Sequence, residues 1–129
     1  MPDKPKVYVI DDDVAMRDSL NFLLDAANYD VMLFDSASTF LEKLPLLDFG
    51  CVVSDVRMPG VDGIELLRRM KALDSRFPIV IITGYPDSQM LDNILKLGPV
   101  TVLKKPLQVE QLNQTLRILG HKAGAKAAA

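Results

Sequence analysis

Five short apolar runs recur along the chain, at residues 7–10, 31–34, 51–53, 79–82 and 100–103. Each is rich in β-branched residues and none alternates apolar with polar, the pattern of strands covered on both faces. Between them the spacing becomes helical. Met16, Leu20, Leu23, Leu24 and Ala27 lie on one stripe, Ile64, Leu67 and Met70 on a second, and Val109, Leu112, Leu116 and Leu119 on a third. Shorter helices fit 36–44 and 87–97. Asp62 followed by Glu65 has the spacing of a capping box, and Gly98-Pro99 stops a helix before the last strand. Five successive βα units predict an α/β fold, a doubly wound five-stranded parallel sheet with helices on both faces and right-handed crossovers. Of the two common doubly wound orders, five strands suit the flavodoxin-like 2-1-3-4-5, whose crevice lies at the carboxyl ends of the first and third strands.

Composition narrows the class. At 129 residues, 49% hydrophobic and 25% charged, the chain is of single-domain size with an ordinary core. Residues 1–119 are expected to form that domain, and 120–129, small and basic, a tail or the start of a linker. A net charge of −2 and a pI near 5.3 argue against nucleic acid as the domain's own ligand, since that needs a basic face. Apolar runs of about five residues fall far short of the roughly twenty that span a membrane. The N-terminal residues have no signal-peptide core, and a lone Cys51 suits a reducing cytoplasm.

The chemistry sits where the apolar runs stop. Asp11-Asp12-Asp13 follow the first run and Asp55 follows the third, while the fourth ends in Thr83-Gly84 and the fifth in Lys104-Lys105-Pro106. In a parallel sheet all of these reach one rim. Buried strands ending in carboxylates are costly unless a positive charge meets them. Oxygen ligands from two strands, a backbone carbonyl and water suit Mg²⁺, and the lack of a His/Cys cluster argues against zinc. A carboxylate held by a cation can attack phosphorus and form an acyl phosphate. Asp55, alone on the central strand, is the better nucleophile; Asp11 and Asp12 are the better metal holders. Asp13 fits a first-turn residue near the helix dipole. Lys104 is expected in solvent, Cys51 buried and His121 exposed.

The set Val9-Ile10-Asp11-Asp12-Asp13, Ser54-Asp55-Val56-Arg57-Met58-Pro59-Gly60, Ile82-Thr83-Gly84 and Lys105-Pro106 resembles a response-regulator receiver domain of two-component signalling. The likeness covers about residues 6 to 119. The wording Arg57-Met58-Pro59-Gly60 and Gly63-Ile64-Glu65-Leu66-Leu67 is most similar to receivers of the FixJ type. The resemblance implies that Asp55 accepts a phosphoryl group from the phosphohistidine of a sensor histidine kinase. It also implies that Asp12, Asp55 and the backbone carbonyl of Arg57 bind Mg²⁺, with Asp11 acting partly through water. Thr83 and Lys105 would bond the phosphoryl oxygens, and Lys105-Pro106 would be cis. Such a domain is not an enzyme beyond assisting its own phosphorylation and dephosphorylation.

By the same resemblance, the helix 87–97, the strand 100–103 and the helix 108–119 form the partner face, and a homodimer through it is the implied output. The chain departs from the family at 102. Many receivers carry an aromatic three positions before the site lysine, and Val102 is too small to swing as a gate. Tyr85, after Thr83, is the candidate to take over part of that reporting role. The main rival is a Mg²⁺-dependent aspartyl phosphatase or phosphotransferase of the haloacid-dehalogenase kind, whose nucleophile would follow the first strand. Asp11-Asp12-Asp13-Val14 echoes it weakly. A nucleotide- or flavin-binding module would need a Gly/Ser/Thr phosphate loop where three carboxylates stand.

Overall fold

A computed structural model describes residues 4–73, 76–84, 88–97 and 100–128, with side chains through Leu119. The Tyr85 role and the Gly98-Pro99 helix stop lie outside the described residues, and so does the side chain of His121. The strands are β1 (Lys6–Ile10), β2 (Asp30–Phe34), β3 (Cys51–Asp55), β4 (Ile79–Thr83) and β5 (Thr101–Lys104). The helices are α1 (Val14–Ala26), α2 (Ala37–Lys43), α3 (Gly63–Ala72), α4 (Ser88–Lys96) and α5 (Val109–Ala128), with a 3₁₀ turn at Leu44–Leu46. All pairings are parallel, in the order β2-β1-β3-β4-β5. This is the expected doubly wound sheet. Most boundaries move by a residue or two; Val100 lies just before β5 and packs on the core instead, and α5 runs on through residue 120 without a break.

Strand parity divides the core into two layers. Val7 and Val9 of β1, Val53 of β3, and Val80 and Ile82 of β4 pack with Leu20 and Leu24 of α1 and Leu112 and Leu116 of α5. Tyr8 and Ile10, Val52, and Ile79 and Ile81 face the other way, onto Phe40 of α2, Leu66, Leu67 and Met70 of α3, and Ile94 of α4. The central strands are buried along nearly their whole length because both faces are covered, whereas edge strand β2 exposes Asp30 and Met32. Phe34 and Phe40 meet edge to face at 5.2 Å beside Tyr8, whose hydroxyl reaches the Asp48 carbonyl at 2.6 Å.

Helix starts follow their caps. Asp62 Oδ1 accepts the Glu65 N–H at 2.8 Å, and Ser36 Oγ accepts the Thr39 N–H at 3.2 Å. The Glu65 carboxylate bonds Arg68 one turn on, at 2.8 Å, so the capping contact at this helix start is the Asp62 half of the box.

Cys51 is buried as expected, and burial pushes its thiol from an ordinary 9.0 up to about 11. Burial also raises the phenols of Tyr8 and Tyr29. In each case the folded chain keeps a proton that the unfolded chain releases first, so stability falls as pH rises from 9.0 toward about 11. The urea midpoint is therefore expected to decline over that interval, and less steeply in Cys51→Ala. A midpoint flat across it would contradict the buried thiol.

Candidate functional site

The rim at the carboxyl ends of the strands gathers the charged residues. β1 passes directly into Asp11, which is 4% exposed, with its N–H on the Phe34 carbonyl at 3.2 Å. Asp11 Oδ1 accepts the Asp13 N–H at 2.9 Å, and the guanidinium of Arg17 on α1 donates to the Asp11 carbonyl at 2.6 Å. Asp12 is exposed. Asp13 is the N-cap of α1, accepting from Ala15 N–H at 2.8 Å and Met16 N–H at 3.3 Å. The three aspartates thus divide: one is buried against the sheet, one is open to solvent, and one holds a helix start.

β3 ends on Asp55, and both of its carboxylate oxygens are engaged. Oδ1 accepts the Arg57 N–H at 3.2 Å, and Oδ2 pairs with Lys105 Nζ at 2.9 Å. The Asp55 side chain is 13% exposed and the Lys105 side chain 31%, a setting drier than a surface pair. Fifty residues separate the partners, and only the β3-β4-β5 order brings them together. Lys105 N–H donates to the Thr83 carbonyl at 2.8 Å, which ties the turn after β5 to the end of β4. The Lys105–Pro106 bond is cis, as expected, and Lys104 is exposed. Thr83 is 2% exposed; its hydroxyl donates to Met90 Sδ on α4 at 3.8 Å.

Burial raises the Asp11 carboxyl above the usual carboxylate range, and the charges of Asp55 and Asp12 add to the effect. The Asp13 N–H and Lys105 oppose it. This is a field that a further cation would relieve. Among the described residues no three His, Cys, Asp or Glu side chains converge as metal ligands. An oxygen-only donor set with few protein ligands fits Mg²⁺, which keeps several waters, and not zinc.

Near Asp55, the loop after β3, the start of α3 and Met90 of α4 line an open, shallow groove of about 530 Å³. Val56, Met58, Pro59, Ile64 and Met90 form its apolar wall, and Arg57 and Asp62 its polar lip. Sequence reasoning missed two residues here. Arg17 is an ordinary helix-surface residue by its spacing, and nothing local points it at the Asp11 carbonyl. Met90 shows only as a residue of the shorter helix at 87–97.

The model of the response regulator receiver domain matches residues 7–117. The transcriptional regulatory protein FixJ of Bradyrhizobium diazoefficiens is 61% identical over 112 residues, 87% of this chain and 55% of that protein. FixJ of Azorhizobium caulinodans is 42% identical over 106 residues, 82% of this chain and 50% of that protein. The chain therefore spans about half the length of the curated relatives it matches. Among solved structures, full-length FixJ from B. japonicum superposes with a TM-score of 0.89 at 54% identity, covering 98% of this chain and 63% of that one. FixJ-N superposes at 0.84 and 32% identity, covering 94% and 96%. No described helix is long and apolar enough to cross a membrane. With most of its length matched by one family model and by relatives of high identity, this chain belongs to the response regulator receiver domain family.

Proposed function

We propose that the domain is a phosphorylation switch in which Asp55 accepts a phosphoryl group from the phosphohistidine of a sensor histidine kinase in the cytoplasm. One observation carries this: Asp55 alone among the rim carboxylates bonds the site ammonium, at 2.9 Å. An Asp55 oxygen attacks phosphorus, the P–N bond breaks, and the histidine leaves as the acyl phosphate forms. Lys105 then exchanges its carboxylate partner for a phosphoryl oxygen, and the Thr83 hydroxyl serves another. Mg²⁺, when bound, supplies positive charge to the same oxygens; Asp11, Asp12, Asp55 and the Arg57 carbonyl would hold it. Asp11 Oδ1 is already spent on the Asp13 N–H, which supports a role for this carboxylate through water.

The domain is the substrate of this chemistry and assists its own phosphorylation and dephosphorylation. Residues 1–119 are its receiver part, and 120–129 a tail or the start of a linker, into which α5 continues as far as Ala128. Relatives sharing this region are named transcriptional regulatory proteins, and control of transcription is the output we assign. The α4-β5-α5 face, with Leu95, Val109 and Ile118 exposed, supports a homodimer as its carrier. Net acidity argues against DNA binding by the domain itself.

The wild-type chain incubated with acetyl phosphate and Mg²⁺ is expected to gain one acid-labile phosphoryl group by intact mass, and none when Mg²⁺ is chelated. Borohydride reduction followed by peptide mapping should locate it at Asp55. Mapping to Asp11 would overturn the assignment in favour of a nucleophile on the first strand.

A further inference from the structure

Strand parity sends Thr83, like Ile79 and Ile81, toward the α3/α4 side of the sheet. Val102, paired in register with Ile81, packs on that same side, as does Met90. The Thr83 hydroxyl is spent on the Met90 sulfur at 3.8 Å. Met90 stands on the first turn of α4 and also walls the 530 Å³ groove along the Asp55 loop. One side chain therefore touches the switch hydroxyl, the core layer beneath β5, and the groove beside the phosphoacceptor.

We propose that Met90 is the positioning residue for Thr83. It holds the hydroxyl toward α4 before phosphorylation and reports to α4 when the hydroxyl leaves. This rests on Asp55 being the phosphoacceptor. A thioether is a weak acceptor, whereas a phosphoryl oxygen is a charged and stronger one. The hydroxyl thus has two partners of unequal strength, and phosphorylation decides between them. Methionine suits this role because an unbranched, polarizable side chain reorients within a packed layer, where β-branched Val102 is stiff at χ1. The path from Thr83 runs straight to α4, with no swinging aromatic at 102.

The test uses beryllofluoride with Mg²⁺ as the phosphoryl mimic, on the wild type, Met90→Leu, Thr83→Ala and the double variant. Leucine keeps the apolar volume and removes the sulfur acceptor. Met90→Leu is expected to bind beryllofluoride about two- to tenfold more tightly, because Thr83 no longer has a hydrogen bond to break. That gain should vanish in the Thr83→Ala background. In ¹³C-methyl-methionine protein, the Met90 methyl resonance should move on beryllofluoride addition, and not in Thr83→Ala; this readout needs no substitution at Met90. Unchanged affinity in Met90→Leu, an equal gain without Thr83, or an unmoved methyl resonance would each overturn the proposal. Failure of the wild type to bind beryllofluoride would instead remove the Asp55 reading, and this one with it.

Discussion

Lys105→Met is expected to slow phosphoryl uptake by about two to three orders of magnitude, the scale of losing a preorganised donor to a developing anion. The same substitution should lower stability in Mg²⁺-free buffer by about 1–3 kcal/mol, less than for a fully buried pair because Lys105 is partly exposed. Both effects have one source. Asp55 faces the ammonium at 2.9 Å, and Asp11 is buried nearby with its carboxyl raised by burial and by the Asp55 and Asp12 charges. Methionine keeps the unbranched apolar stem as far as Cε and leaves those carboxylates without their cation. Adding Mg²⁺ should therefore recover most of the lost stability while the uptake rate stays low, since the metal replaces the charge but not the donor to the phosphoryl oxygen. Urea denaturation with and without Mg²⁺, beside acetyl-phosphate kinetics, measures both. Asp55→Asn is the reference for complete loss of uptake. Wild-type kinetics in Lys105→Met would show that the ion pair is structural only.

Gly63→Ala is expected to cost about 2–3 kcal/mol, a drop in Tm of roughly 10 °C for a domain of this size. A Cβ at residue 63 would lie 2.5 Å from the Asp55 carbonyl oxygen and 2.9 Å from Val56 Cα. Both neighbours are backbone, so no side chain can swing aside. The Gly63 N–H also donates to the Val56 carbonyl at 2.9 Å, seating the start of α3 directly against the end of β3. Making room for the methyl moves Asp55 itself, and a shift approaching ~1 Å at a reacting group costs up to about a hundredfold in rate. Uptake should therefore fall together with Tm. Gly60→Ala separates the causes: at φ 74 with no atom within 4 Å of its Cβ, it should show about 1 kcal/mol of left-handed strain and normal kinetics. Gly63→Ala with wild-type Tm would mean that the α3 start yields at no cost.

Much of the site is legible in the sequence because a parallel sheet turns strand ends into neighbours. Asp11, Asp55, Thr83 and Lys105 each stand at the end of an apolar run, and the order β2-β1-β3-β4-β5 follows from strand count and the flavodoxin-like preference. Asp13 is expected in the first turn and stands one place earlier, as the N-cap of α1, because its side chain reaches N–H groups two and three positions on. Glu65 is less legible. Its spacing from Asp62 fits a capping box, yet its carboxylate lies with Arg68, a competition between neighbours that spacing does not weigh.

By itself the sequence determined the α/β class and the placing of the acidic and basic residues at strand ends, because strand periodicity and capping act over a few residues. Only the tertiary structure decided how those groups meet: Lys105 on Asp55 across fifty residues, Arg17 on the Asp11 carbonyl, Gly63 against the Asp55 backbone, and the Thr83 hydroxyl on the Met90 sulfur. The first follows from the strand order, and the other three depend on how α1, α3 and α4 sit on the sheet. Helix placement is set by side-chain packing over a whole layer, and no short stretch of residues encodes it.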